Sequence, residues 1–180
     1  MKKWRNGIVG GALAVLLFSG TGIMASEDEW EYGAAAVSEG ETYSVEEMLL
    51  YAIQDEYMAE ASYDAIMEAY GTVKPFTNIA KAEGTHISLL LPLFETYGLE
   101  VPENEAVEYI ELPASLAESF EEGVAGEIKN IAIYEQFLQN EELPDDVRSV
   151  FERLMAASEN HLAAFERGVT GNPDGAGRKK

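Results

Sequence analysis

Hydrophobic residues recur every three to four positions over four long stretches of the chain, with polar residues between them. This period is typical of amphipathic α-helices. Ser44 and Glu47 form a capping box at the start of the first stretch, and a glycine follows the first, second and fourth stretches. The predicted helices cover residues 44–70, 76–97, 115–139 and 144–167.

The connections between these helices indicate how they pack. Short segments join the first helix to the second and the third to the fourth, whereas the segment Leu99–Pro113 is longer and irregular. Short connections make antiparallel hairpins, and a longer one can cross from one end of a bundle to the other. Strand patterns of comparable strength do not occur. The sequence therefore predicts an all-α fold, a four-helix bundle of two hairpins joined by a longer crossover.

Five ionisable residues interrupt the hydrophobic faces of the helices, where side chains should point into the bundle. Burying a carboxylate or imidazole without a partner costs free energy, so these residues need a common partner that compensates their charge. Because a helix rises about 1.5 Å per residue, all five lie at similar heights from the hairpin turns. We predict a metal centre in one central layer, with the ligands Glu56, Glu83, His86, Glu127 and His161.

Glu83 and His86 stand one helical turn apart, so both side chains can reach an ion between helices. In bundles that hold two iron or manganese ions, two helices each supply a glutamate and the other two each supply Glu-x-x-His. The fourth helix departs from this pattern, because Ser158 stands where its glutamate would be. Glu60, Asn130 or water could supply the missing ligand, and the centre could hold one ion or two.

Two tyrosines lie about two helical turns from predicted ligands: Tyr63 follows Glu56, and Tyr134 follows Glu127. They could donate hydrogen bonds to the ligands or take part in redox chemistry. Packing as core aromatics is the alternative. Ser158 could likewise bond a ligand or a water molecule, or be a small residue that makes room.

The two ends of the chain differ from its middle. Residues 1–25 are typical of a signal peptide, with basic residues, an apolar run and Ala25 for cleavage. An uncleaved membrane anchor is the alternative, although the run is short for a full span. We expect residues 26–43 to be a flexible acidic linker and residues 169–180 to be a disordered tail. The predicted location is outside the cytoplasm: extracellular, cell wall or periplasm.

The chain is strongly acidic, with a net charge of −21. Such a surface repels nucleic acid and anionic lipid and attracts cations, so we expect metal ions as partners, no nucleic acid and no membrane after signal removal. The lack of cysteine excludes disulfides, thiolate ligands and iron–sulfur clusters, so oxygen and nitrogen must hold any metal. We expect a monomer or a homodimer.

Residues 55–71, 76–99 and 153–167 resemble an exported bacterial ferritin-like family that is catalogued as a domain of unknown function. The resemblance is most specific in four motifs: Asn78-Ile79-Ala80, Glu83-x-x-His86, Tyr97-Gly98-Leu99 and Asn160-His161-Leu162. It covers roughly residues 44–168 and implies a fold of the ferritin-like di-iron-carboxylate superfamily with bound metal, but no settled reaction. The family also carries serine at the position of Ser158, whereas Asn130 stands where aspartate is usual.

These observations favour a metal-dependent function. Carboxylate-rich ligation suits iron or manganese, and the histidines keep zinc open. We predict an extracytoplasmic protein that holds one or two iron ions, with ferroxidase or di-iron oxidoreductase chemistry as its candidate activity. The alternative is a non-catalytic bundle that metal stabilises and that acts as a binding or structural protein of the cell envelope.

Overall fold

A computed structural model of the protein describes residues 32–171, which form four α-helices and two 3-10 turns. The α-helices are α1 (Val45–Tyr70), α2 (Phe76–Tyr97), α3 (Leu116–Leu138) and α4 (Asp145–Val169). The 3-10 turns are Gly33–Ala36, before α1, and Ala106–Glu108, within the crossover. The predicted four-helix bundle is confirmed.

The helix ends follow the capping signals in the sequence. The Ser44 hydroxyl accepts a hydrogen bond from the backbone N–H of Glu47 at 3.2 Å, and the Glu47 carboxylate accepts one from the Ser44 N–H at 2.7 Å. Ser115 caps α3 in the same way, by accepting from the Glu118 N–H. Gly98 ends α2 with φ +65°, a left-handed conformation that glycine adopts without steric cost.

The helices pair as two hairpins, with α1 packed along α2 and α3 packed along α4. Two hydrogen bonds fix how the hairpins face each other. The hydroxyl of Tyr70, at the end of α1, donates to the carbonyl of Pro113, just before α3. The hydroxyl of Tyr97, at the end of α2, donates to the carboxylate of Asp146 at the start of α4 at 2.8 Å. The crossover therefore runs the length of the bundle, and α3 is antiparallel to α1.

Two hydrophobic clusters fill the bundle, one towards each end. The lower cluster includes the start of α1, the end of α2, the end of α3 and the start of α4, with Leu49, Leu90, Phe137 and Phe151 fully buried. The upper cluster lies at the other end of the bundle and includes Phe76, Phe120 and Phe165. The ring centroid of Phe76 lies 5.0 Å from that of Phe120 and 5.1 Å from that of Phe165. Between the clusters lies a layer in which most of the buried side chains are polar.

The prediction of a flexible linker is wrong for residues 32–43, which pack against the bundle. Tyr32 is buried and its ring stacks on Tyr109, with a centroid distance of 4.4 Å. The backbone N–H groups of Gly33 and Ala34 donate to the side chains of Gln54 and Asp55 on α1. These polar and aromatic contacts hold a segment that lacks helical periodicity, which is why the sequence pattern did not predict them.

The predicted signal peptide, the first six residues of the predicted linker and residues 172–180 of the predicted tail lie outside the described residues. Val169 still belongs to α4, so the helix extends one residue into the predicted tail. Within residues 32–171, none of the helices is sufficiently long and apolar to span a membrane.

Two glycines one turn apart on α3 should respond oppositely to alanine. A Cβ on Gly123 would lie 2.8 Å from the ring of Phe165, which is fully buried, whereas a Cβ on Gly126 would meet nothing within 4 Å. We expect Gly123→Ala to lower the free energy of unfolding by about 1–3 kcal/mol through overpacking. Gly126→Ala should raise it by about 0.5–1 kcal/mol, because alanine is the better helix former.

Urea unfolding of both variants beside the parent protein measures these changes. A shift in the same direction for both would contradict the packing of α3 against α4 described here.

Candidate metal centre

The polar layer contains all five predicted ligands. Glu56 comes from α1, Glu83 and His86 from α2, Glu127 from α3 and His161 from α4. Their exposed fractions are between 1% and 9%. Each residue replaces an apolar position on the inner face of its helix, so the regular packing of the bundle directs all five side chains to one place.

These residues form two groups that share one carboxylate. The first group is Glu56, Glu83 and His86, and the second is Glu83, Glu127 and His161. Within each group, one ligand atom from each residue lies within 4.8 Å of the others. Glu83 belongs to both groups because its Oε2 lies 2.6 Å from Nδ1 of His86, while its Oε1 lies 3.2 Å from Nδ1 of His161.

The remaining contacts give the two groups an approximate symmetry. Nδ1 of His86 lies 3.0 Å from Oε2 of Glu56, and Nδ1 of His161 lies 3.5 Å from Oε1 of Glu127. The two imidazole rings stack, with centroids 5.5 Å apart and planes 21° from parallel. Each half thus offers one carboxylate of its own, one oxygen of Glu83 and one imidazole nitrogen.

Burial and proximity shift the pKa values in this layer in opposite directions. Burial raises the pKa of Glu56 and of Glu127. Burial also opposes ionisation of Glu83, but the two imidazoles close to its oxygens outweigh this effect and lower that pKa. Burial disfavours the charged imidazoles, yet the carboxylates close to each ring prevail, which raises the pKa of His86 to about 10 and that of His161 to about 9. Without a metal, protons on the imidazoles balance the carboxylates.

One buried nitrogen atom in this layer lacks a well-aligned hydrogen bond. Nδ1 of His161 is close to the oxygens of Glu83 and Glu127, but among the described residues it has no hydrogen-bond partner of acceptable geometry. A buried polar atom in this state is costly. A cation between these three residues would satisfy it without demanding the alignment of an N–H bond, so the donor set fits a metal ion of the carboxylate and imidazole type.

Two tyrosines donate hydrogen bonds to the carboxylates of the centre. The hydroxyl of Tyr134 donates to Oε1 of Glu56 at 2.7 Å, and the hydroxyl of Tyr63 donates to Oε1 of Glu127 at 2.9 Å. Burial raises the pKa of both phenols well above the ordinary value, so both remain donors at neutral pH. Each tyrosine therefore serves the carboxylate of the opposite hairpin, Tyr63 reaching from α1 to α3 and Tyr134 from α3 to α1.

Ser158 takes part in a short chain of hydrogen bonds beside the centre. Its hydroxyl donates to Oδ1 of Asn130 at 2.7 Å, and the Asn130 amide donates to the carboxylate of Asp55. Burial raises the pKa of Asp55 to about 6, against the lowering effect of bonds from Ala34 and Asn130. Both polar ends of the Asn130 amide are thus engaged in hydrogen bonds.

Sequence reasoning missed Asp55, and it included one residue that the structure places elsewhere. Asp55 precedes Glu56, so the helical pattern assigned it to a different face. The available signal was a second acidic residue directly before Glu56 on α1. Glu60 was a candidate ligand, but it belongs to neither group of three. It is half-buried, and its Oε1 lies beside Gly84 on α2.

Comparison with known proteins places this layer in a family context. The model of an uncharacterized protein domain, DUF2202, matches residues 45–176, which include the whole bundle. The chain belongs to the DUF2202 family. No curated protein matches this DUF2202 chain.

One solved structure shows a similar fold. The crystal structure of hypothetical protein MJ0754 from Methanococcus jannaschii DSM 2661 superposes with a TM-score of 0.63 at 23% identity. The match covers 75% of this chain and 86% of that chain. At this identity the likeness concerns the fold alone, and it supports the helical architecture described above.

The protonated imidazoles make the stability of the metal-free protein depend on pH. The folded pKa values of about 10 for His86 and about 9 for His161 lie above the ordinary value of 6.5. The stability that the two charged histidines contribute to the folded protein is therefore fully present below about pH 6.5, and it is lost as the pH rises through 9 to 10. The raised pKa of Glu56 acts in the same direction, whereas the lowered pKa of Glu83 matters only in acid.

We expect the free energy of unfolding, measured with chelator present, to fall between pH 6.5 and 9.5 by on the order of 1 kcal/mol or more per histidine. The variant with His86→Gln and His161→Gln should show a flatter profile. A parent protein whose stability is constant over this range would contradict the charge balance described here.

Proposed function

We propose that this DUF2202 protein is an extracytoplasmic metal-binding protein that holds two iron ions, one in each group of three ligands. The observation that carries the proposal is the position of Glu83, which presents one carboxylate oxygen to each group. A carboxylate shared in this way suits a bridge between two ions. The approximate symmetry of Glu56 with His86 and of Glu127 with His161 supports two ions over one.

The residues also bear on which ion is bound. Three carboxylates and two imidazoles are hard or borderline ligands, which favour iron or manganese and leave zinc possible. The bundle architecture and the resemblance of the sequence to ferritin-like proteins support iron, because that class holds pairs of iron or manganese ions by glutamates and Glu-x-x-His. Each group supplies three protein ligands, so positions would remain for water or an oxidant.

Isosteric substitutions at each glutamate test this assignment. After anaerobic loading with Fe(II) and desalting, we expect the parent to retain two ions per chain. Glu56→Gln and Glu127→Gln should each lose about one ion, and Glu83→Gln should lose both, because it serves both groups. Glu60→Gln is the matched control, since Glu60 lies next to the layer but outside both groups.

Elemental analysis gives the metal content of each variant. The proposal fails if Glu83→Gln binds as much metal as the parent, or if Glu60→Gln loses as much as Glu83→Gln.

The proposed chemistry is the oxidation of Fe(II) by oxygen or peroxide. Two Fe(II) ions would each give up one electron, and O2 would take up these two electrons and two protons to leave as hydrogen peroxide. In this reaction Glu56, Glu83 and Glu127 would hold the iron, and their negative charges would stabilise Fe(III) relative to Fe(II). Tyr63 and Tyr134 keep the carboxylates oriented through their hydrogen bonds.

Exposure to oxygen separates this activity from simple binding. Protein loaded anaerobically with Fe(II) should show an increase in near-ultraviolet absorbance when oxygen is added, and it should produce hydrogen peroxide. Glu83→Gln should lose this response, whereas Glu60→Gln should keep it. An unchanged spectrum in iron-loaded parent protein would remove the oxidation proposal and leave metal binding intact.

A second candidate function is a structural one, in which metal joins the two hairpins. The ligands come from both α1/α2 and α3/α4, while direct contacts between the hairpins are sparse by comparison with those inside each hairpin. A bound ion would therefore stabilise the bundle where its own packing is weakest. Under this alternative, loading raises the melting temperature without any response to oxygen. The protein would then act as a metal-stabilised binding or structural component of the cell envelope.

The proposed location outside the cytoplasm rests on the sequence of residues 1–25, in which three basic residues precede an apolar run and a small residue at the cleavage position. A monomer or homodimer remains our prediction for the assembly.

A further inference from the structure

A cleft of about 650 Å³ lies between α1 and α3 and reaches the candidate metal centre. The 3-10 turn Gly33–Ala36 and residues 108–113 of the crossover form its other sides. Pockets that bind small organic molecules in proteins generally measure about 300–1,000 Å³. The cleft is thus large enough for a molecule rather than only an ion and its water.

Small residues keep the cleft open. Gly126 lines it from α3, and Ala59 and Ser62 line it from α1. A Cβ at Gly126 would meet no atom within 4 Å, so there is free space beside the helix at this point.

Both apolar and polar residues line the cleft. Met58 and Ile66 on α1, with Leu112 and Pro113 on the crossover, supply apolar surface. Other lining residues belong to the metal centre or to the hydrogen-bond chain beside it: Tyr63, Glu83, Glu127, Asn130 and Ser158. A molecule with an apolar body could therefore bury that body between α1 and α3 while one end approaches Glu83 and Glu127.

The charges of the lining residues select among such molecules. Outside the metal centre, Asp55, Glu108, Glu111 and Glu122 line the cleft, and Lys129 is the basic residue among the described lining. These four carboxylates keep their charge when metal ions balance Glu83 and Glu127. A negatively charged ligand would lose its hydration and face this excess of carboxylates, which is unfavourable. Neutral and cationic molecules avoid this cost.

We propose that the cleft between α1 and α3 binds a small organic molecule that has an apolar body and no negative charge, next to the metal centre. The binding itself depends only on the cleft, and the position beside a metal rests on the proposed function. This DUF2202 protein would accordingly act with an organic molecule held at its metal centre, and not with metal ions and oxygen alone.

Two fluorescent probes with the same aromatic skeleton test the binding: N-phenyl-1-naphthylamine, which is neutral, and 8-anilino-1-naphthalenesulfonate, which carries a sulfonate. We expect the metal-free parent protein to bind the neutral probe at least about tenfold more tightly than the anionic one. Gly126→Leu places a side chain in the free space and should weaken binding of the neutral probe by about tenfold or more. Equal affinities for the two probes, or unchanged binding in Gly126→Leu, would overturn the proposal.

Metal content separates this proposal from that of the metal centre. Gly126→Leu should retain the metal content and the circular dichroism of the parent, whereas Glu56→Gln, at a residue of the metal centre that does not line the cleft, should lose metal and still bind the neutral probe. Proximity is tested by nuclear magnetic resonance: signals of the bound neutral probe should broaden in Co(II)-loaded protein relative to Zn(II)-loaded protein. Sharp signals in fully Co(II)-loaded protein would place the probe away from the centre and contradict the proposal.

Discussion

The structure depends on how three carboxylates and two imidazoles are accommodated in the interior of an apolar bundle. Glu56, Glu83 and Glu127 are almost completely buried, and removing such groups from water is expensive unless an opposite charge lies within reach. In the metal-free state two imidazolium groups supply that charge, but the N–H of His161 is poorly aligned with its acceptors. A divalent ion in each group would offer the same compensation without requiring an aligned N–H bond, so this layer could hold metal.

The position of the layer follows from the helical repeat. The ligands on each helix fall between an apolar segment of the lower cluster and one of the upper cluster, so the bundle can bury both ends while it holds polar groups in the middle. The two hairpins meet through this layer as well as through the hydrophobic clusters, so whatever occupies the centre also affects how firmly the hairpins are joined.

Much of the fold and the centre could be predicted from the sequence, because these features depend on local rules. Ser44, Ser115 and Gly98 mark helix ends through capping, and helical spacing alone places Glu83 and His86 on the inner face. The pairing of Asp55 with Asn130 and Ser158 could not be predicted, since it depends on the exact rotation of α1 against α3. The packing of Tyr32 on Tyr109 was also missed, as it joins segments without periodicity that are far apart in sequence. Glu60 follows Glu56 by one turn of α1, but its Oε1 lies beside Gly84 on α2.

Anomalous X-ray scattering from crystals loaded with Fe(II) or Mn(II) under anaerobic conditions tests the central claim most directly, because it locates each ion. Two peaks should lie on either side of the Glu83 carboxylate, one near Glu56 and His86 and the other near Glu127 and His161. Their separation should be about 3.5–4 Å, as in other centres with two bridged ions. Peaks confined to the acidic surface, with none in the buried layer, would contradict the assignment of this layer as a metal centre.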